Sequence, residues 1–144
     1  MLPTRPLFLL LCSSILGAAS GCIQRSLPLP PPSVSGITVA DCPLIECPQG
    51  GVIVTLDGLA LPDAQVIVED IAPHASAPTG ESLLVGTSAN AAGVWRVVLG
   101  PVRVRGTMTV LAPRVGDTIS LFQIQASPTN EVSLPRTLVV GMPR

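Results

Sequence analysis

Few side chains in this 144-residue chain can do chemistry on their own: four cysteines (Cys12, Cys22, Cys42, Cys47) and one histidine, His74. Thiols and an imidazole can hold zinc, exchange disulfides, or act as nucleophile and base, and spacing decides among these. A structural zinc takes four ligands, and Cys42, Cys47 and His74 supply only three of the nitrogen or sulfur type. A redox pair is usually Cys-x-x-Cys beside a βαβ pattern; here the run is Cys42-Pro-Leu-Ile-Glu-Cys47 with no helical stretch near it. A serine nucleophile needs a base, yet His74 lies between Pro73 and Pro78, and neither G-x-S-x-G nor H-E-x-x-H occurs. Carboxylate pairs that cleave sugars need an apolar cleft with aromatic platforms, and Trp95 and Phe122 are the only aromatic residues beyond position 21. No phosphate-cradling glycine loop is present. These residues argue against an enzyme, a metal site or a small-molecule cofactor.

Residues 1–21 follow the plan of an export signal, with Arg5 near the start, an apolar stretch reaching Leu16, and the small residues Gly17, Ala18, Ala19, Ser20 and Gly21 before Cys22. The apolar part is too short to count as a spanning helix. Ala19-Ser20-Gly21-Cys22 resembles the lipid box of bacterial lipoproteins, in which a small-residue pair precedes a cysteine that receives a diacylglyceryl group before cleavage. Ala19 stands where leucine is commonest. The resemblance implies removal of 1–21, a lipid at Cys22 with fatty acyl chains such as palmitate, and the membrane as a partner. Ile23, not Asp, follows the cysteine, which in a Gram-negative cell implies sorting to the outer membrane. The alternative is an ordinary signal cut near Ala19 or Gly21 that leaves Cys22 a free thiol. An exposed thiol in an exported chain invites oxidation, whereas two or more acyl chains give stable attachment, so the lipid reading is preferred.

Export also bears on the remaining thiols. Cys12 leaves with the leader, Cys22 is the anchor, and an oxidising compartment then makes Cys42–Cys47 most simply a disulfide. So short a loop would restrict the unfolded chain by only about 2 kcal/mol. Residues 22–35 contain SLPLPPPS, and consecutive prolines favour an extended polyproline spacer of about 3.1 Å per residue. Its place behind the anchor reads as a tether that stands the domain off the membrane, ahead of a proline-rich ligand for an aromatic groove.

The elements that follow are short and apolar, and none keeps a helical period over ten or more positions. Residues 36–40 (GITVA) read as an edge strand leading into the cysteine loop, together the segment 36–50. A central strand over 51–56 is dense in β-branched residues. Asp57-Gly58 is assigned as the turn after it. Further strands are placed at 65–71, 83–88, 94–99, 107–112, 118–126 and 135–140. Trp95, Val97 and Leu99 share one face and centre the core; Ile119, Leu121 and, after Phe122, Ile124 alternate in the sixth strand. Arg103 and Arg105 fall on a solvent face. Residues 72–82 form a polar loop holding His74 and Glu81, of a length that is often functional; an idle, exposed imidazole is its plainer reading. With 47% hydrophobic and 12% charged residues, 16 prolines, no lysine and a net charge of -1, the chain suits one turn-rich β domain and lacks the basic footprint of nucleic-acid binding.

Short strands separated by turn signals over 51–141 are the pattern of an all-β, Ig-like antiparallel β-sandwich of about seven strands. Gly58 with Leu61-Pro62-Asp63-Ala64-Gln65-Val66, then Val85-Gly86-Thr87, then Asn90-Ala91-Ala92-Gly93-Val94-Trp95, resembles the bacterial Ig-like and carboxypeptidase regulatory-like (transthyretin-like) domains. Asp63 and Asn90 replace the commoner Gly and Asp. The resemblance covers about 51–140 and implies a fold more than a function. Three readings follow: a lipid-anchored, structural or adhesive envelope module that contacts another envelope protein; a peptide- or small-ligand-binding domain using the His74–Glu81 loop or the 36–40 edge strand; and, third, a hydrolase, which would need a buried His74.

Overall fold

Val52, Val54 and Leu56 are buried while Ile53 and Thr55 are half-buried, the two-residue period of a strand with one face in a core. The computed structural model describes residues 27–71 and 82–144, and their regular elements are strands: β1 (Ser33–Asp41), β2 (Val52–Leu59), β3 (Gln65–Asp70), β4 (Leu84–Ser88), β5 (Val94–Leu99), β6 (Val102–Arg103), β7 (Val110–Leu111), β8 (Thr118–Ile124) and β9 (Arg136–Val139). The leader, Cys22, His74 and Glu81 lie outside the described residues.

The strands form an antiparallel sheet ordered β1-β2-β5, a second ordered β4-β3-β8-β9, and a separate hairpin β6-β7. The inner faces share one core: Val52, Val54, Leu56, Trp95, Val97 and Leu99 from the first sheet meet Val66, Val68, Ile119 and Leu121 from the second. The chain is thus an all-β antiparallel sandwich. Strands β1, β2 and β5 facing β3, β8 and β9 match the A-B-E and C-F-G strands of the immunoglobulin arrangement, with β4 paired to β3 and not joined to β5.

Three expectations change. Asp57-Gly58 is no turn: β2 runs through it to Leu59, with Gly58 opposite Trp95. A Cβ on Gly58 would run into the Ser33 carbonyl and approach the Trp95 ring at 3.1 Å, so the glycine is there for close approach of two neighbours. The turn comes at 61–64, where Asp63 takes φ 58° in the position its hairpin would commonly give to glycine. The expected strand over 107–112 shrinks to β7, because Val104 turns inward to 5% exposure and Thr107 donates to its carbonyl at 3.0 Å, closing a tight loop around Gly106. Arg103 and Arg105 do face solvent. Finally, β1 starts at Ser33, inside the segment read as tether.

The turn at 89–93 shows what Asn90 does in place of Asp. Its Oδ1 accepts from the Ala92 and Val94 amides, each at 2.9 Å. Gly93, at φ 82°, packs where a Cβ would strike the Ala60 carbonyl.

Candidate functional site

Three places on this frame have a built character beyond packing. The first is the end where the chain enters. Gln123 lies on the inner face of β8, on the parity of Ile119 and Leu121, and is 3% exposed. Its Oε1 accepts from the Leu61 amide at 2.8 Å, and its Nε2 donates to the Pro30 carbonyl at 2.8 Å. Its main chain is held as well: Gln123 N donates to Ser133 Oγ and Ser133 N to Gln123 O, both at 2.8 Å. Next to it, Leu134 N donates to the Leu29 carbonyl at 2.9 Å, and Pro32 is fully buried. Ile124, expected beside Ile119 and Leu121, points to the other face and is half-buried. The signal for Gln123 was present in the sequence: in TISLFQI the second, fourth and sixth residues are Ile119, Leu121 and Gln123, so an inward strand position carries an amide.

The second place is the far end of β1. Eight residue steps from Ser33 to Asp41 carry the chain about 26 Å at roughly 3.3 Å per residue. There Cys42 and Cys47 are joined in a disulfide with Cα atoms 5.9 Å apart, both sulfurs belonging to buried residues packed on Ala112 and Ile53. The Pro43 carbonyl accepts from Glu46 N at 2.9 Å and Cys47 N at 2.8 Å, and Cys42 N donates to Gly51 O at 3.1 Å. The loop so held turns its side chains outward: Leu44 is 73% and Ile45 91% exposed. The β6–β7 hairpin belongs to this end too, since β5 reaches it at Leu99 opposite Val54 and Pro113 O accepts from Val52 N. The residues flanking 72–81 are also anchored here, Ile71 N donating to Thr118 O at 2.9 Å and Ser82 Oγ to Glu69 Oε1 at 2.7 Å.

The third is the side of the sandwich between the two free edges β1 and β9. A cleft of about 490 Å³ is lined by Ile37, Thr38, Val39, Val139 and Met142. Ile37 pairs with the buried Leu56 and so faces inward, yet it is 50% exposed, because the second sheet ends at β9. On β1 only the last residue, Asp41, is charged, so the edge carries none of the lysines or prolines that usually blunt such a strand.

The sequence-predicted pair Cys42 and Cys47 is brought together. Among the described residues no group of three or more His, Cys, Asp or Glu is placed to hold a metal ion, and no helix is long and apolar enough to cross a membrane. No family model, curated protein or solved structure matches this chain.

Proposed function

We propose that this chain is a lipid-anchored, non-catalytic module of a bacterial cell envelope, attached through Cys22, sorted to the outer membrane, and serving as a structural or adhesive accessory to another envelope protein. The observation that carries the reading is the opposition of the two ends of β1. The chain arrives at one end through a proline segment, and the other end presents Leu44 and Ile45 on a disulfide-held loop. Anchoring at Cys22 would turn that loop outward, where two exposed aliphatic side chains suit an apolar pocket on a partner. The lipid box and the secretory leader support the anchor. Mass spectrometry of the mature N-terminus tests it: a diacylglyceryl-modified Cys22 is expected, and an unmodified Cys22 or a start at any other residue overturns it.

The half-exposed, inward-facing Ile37 favours a second reading, in which an extended peptide segment of the partner adds to β1 and covers the cleft. Photocrosslinking in cells separates the two. A crosslinker at position 45 captures the partner on the first reading, one at position 38 on the second, and no capture from either removes both.

A further inference from the structure

We propose that Gln123 is a clamp that makes residues 29–32 part of the domain, so that the chain can bend relative to the sandwich only before Leu29. This holds whether or not Cys22 carries lipid, and its failure would leave the anchored-module reading untouched.

The inference starts from what proline removes. Pro28, Pro30, Pro31 and Pro32 have no backbone N–H, and a polyproline segment makes no hydrogen bonds within itself. Such a segment can be held to a domain by packing of its rings and, for its polar groups, by donors that reach its carbonyls. Two do so here. Gln123 Nε2 reaches Pro30 O at 2.8 Å, and Leu134 N reaches Leu29 O at 2.9 Å. The amide is aimed without slack, since Oε1 is occupied by the Leu61 N–H at 2.8 Å and Gln123 is 3% exposed. A flip of the amide would set its NH2 against the Leu61 N–H and its oxygen against the Pro30 carbonyl, so the donor has one arrangement that satisfies both partners. Pro32, fully buried, completes the grip on the sandwich side of the contact. Leu27, 89% exposed, is outside it.

The consequence is mechanical. A tether free up to Ser33 would let the domain swivel at its base, whereas a clamped Leu29 makes the last proline turn a stiff collar continuous with β1. The far end of β1 then keeps a defined direction from the point where the chain enters.

Gln123→Glu tests this in the full chain at a pH where carboxyl 13C NMR shows the introduced side chain ionised, because it is nearly isosteric, still accepts from Leu61 N, and as a carboxylate cannot donate to Pro30 O. Backbone amide relaxation and hydrogen exchange by NMR are the readouts. The clamp requires that Leu29 and Ser33 gain nanosecond mobility and that the Leu134 amide exchange on the order of tenfold faster, while the Leu61 amide keeps its protection. If Leu29 keeps its order and Leu134 its protection in the folded variant, or if Leu61 and Leu134 lose protection together, Gln123 is a structural residue of the core and the clamp is wrong. Should Q123E fail to fold, Gln123→Asn keeps both polar atoms on a side chain too short to reach both partners. The same loss of order at Leu29 is then required, and its absence overturns the proposal.

Discussion

The two ends of β1 are secured by different means. Where the chain enters, a buried amide, two backbone carbonyls and a serine hydroxyl make a wholly non-covalent junction around Gln123. Where β1 leaves the sandwich, a covalent bridge does most of the work, and Cys42 and Cys47 occupy a small satellite core with Ala112 and Ile53, apart from the main one. The difference follows from what each end can bury. Gln123 is itself buried and its two side-chain hydrogen bonds are part-buried, so its polar groups gain by finding partners. The loop at 42–47 exposes four of its six residues and buries only the two cysteines, so a crosslink supplements a small area of packing. Order at the first end is therefore cooperative with the fold, and order at the second is local.

Removing what the ends share should have the largest effect. Trp95 is 1% exposed and lies over Gly58 of β2, the strand that pairs with β1 along its length. Trp95→Ala is expected to cost about 3–5 kcal/mol, seen in urea unfolding as a midpoint shift that both ends follow together. Separate transitions for the two ends would show that the core does not couple them. Next comes Gln123→Leu, which fits an inward β8 position in shape but orphans the Leu61 N–H and the Pro30 carbonyl. An orphaned polar group costs about 1–3 kcal/mol when buried, and both of these are only part-buried, so roughly 2–3 kcal/mol of stability should be lost by chemical denaturation. A loss below about 1 kcal/mol would mean that water replaces the amide, and the entry junction would then be no more than a surface contact.

How much of this was legible in the sequence depends on which force set each element. Strands β2, β3, β5 and β8 are short, largely apolar runs bounded by turn residues, so their positions and the central place of Trp95 could be read directly, whereas the period of two lies in their burial more than in residue types, with Val94 and Val98 apolar and exposed. The disulfide was legible because Cys42 and Cys47 lie five residues apart with too few other ligands for a zinc site and no C-x-x-C spacing. The misassigned turn at Asp57-Gly58 shows the limit: glycine marks a turn and a close approach with the same letter, and only the Ser33 carbonyl and the Trp95 ring on either side distinguish them. The expected strand over 107–112 failed for the converse reason, since apolar residues there cover the end of the sandwich without a long neighbour to pair with. Gln123 was visible by parity, but its partners are set by non-local folding: Pro30 is 93 residues away and Leu61 is 62. The openness of the β1–β9 side, which exposes Ile37, depends on where the second sheet stops and so on no single residue.

The disulfide end should respond more weakly, and separately. Replacing both cysteines, Cys42→Ser with Cys47→Ser, should lower stability by about 2 kcal/mol on the chain-entropy estimate for so small a loop. Amide exchange should rise at Glu46, Cys47 and Gly50, whose N–H groups close the loop, while Leu61 and Leu134 stay protected. Equal loss at both ends would contradict the local character assigned to the bridge.

The smallest effect on stability, and the sharpest on function, belongs to Leu44→Ser with Ile45→Ser. Neither side chain packs on the core, and the loop's shape comes from the Pro43 carbonyl and the disulfide, so the unfolding midpoint should move by less than about 0.5 kcal/mol. If these residues are the contact that the anchored domain displays, the same double variant should lose capture from a crosslinker at position 46 while remaining as stable and as abundant as the parent. Exposed aliphatic side chains on a rigid loop have no folding reason to be there, so a variant that keeps the fold and keeps the contact would move the interaction to the β1 edge.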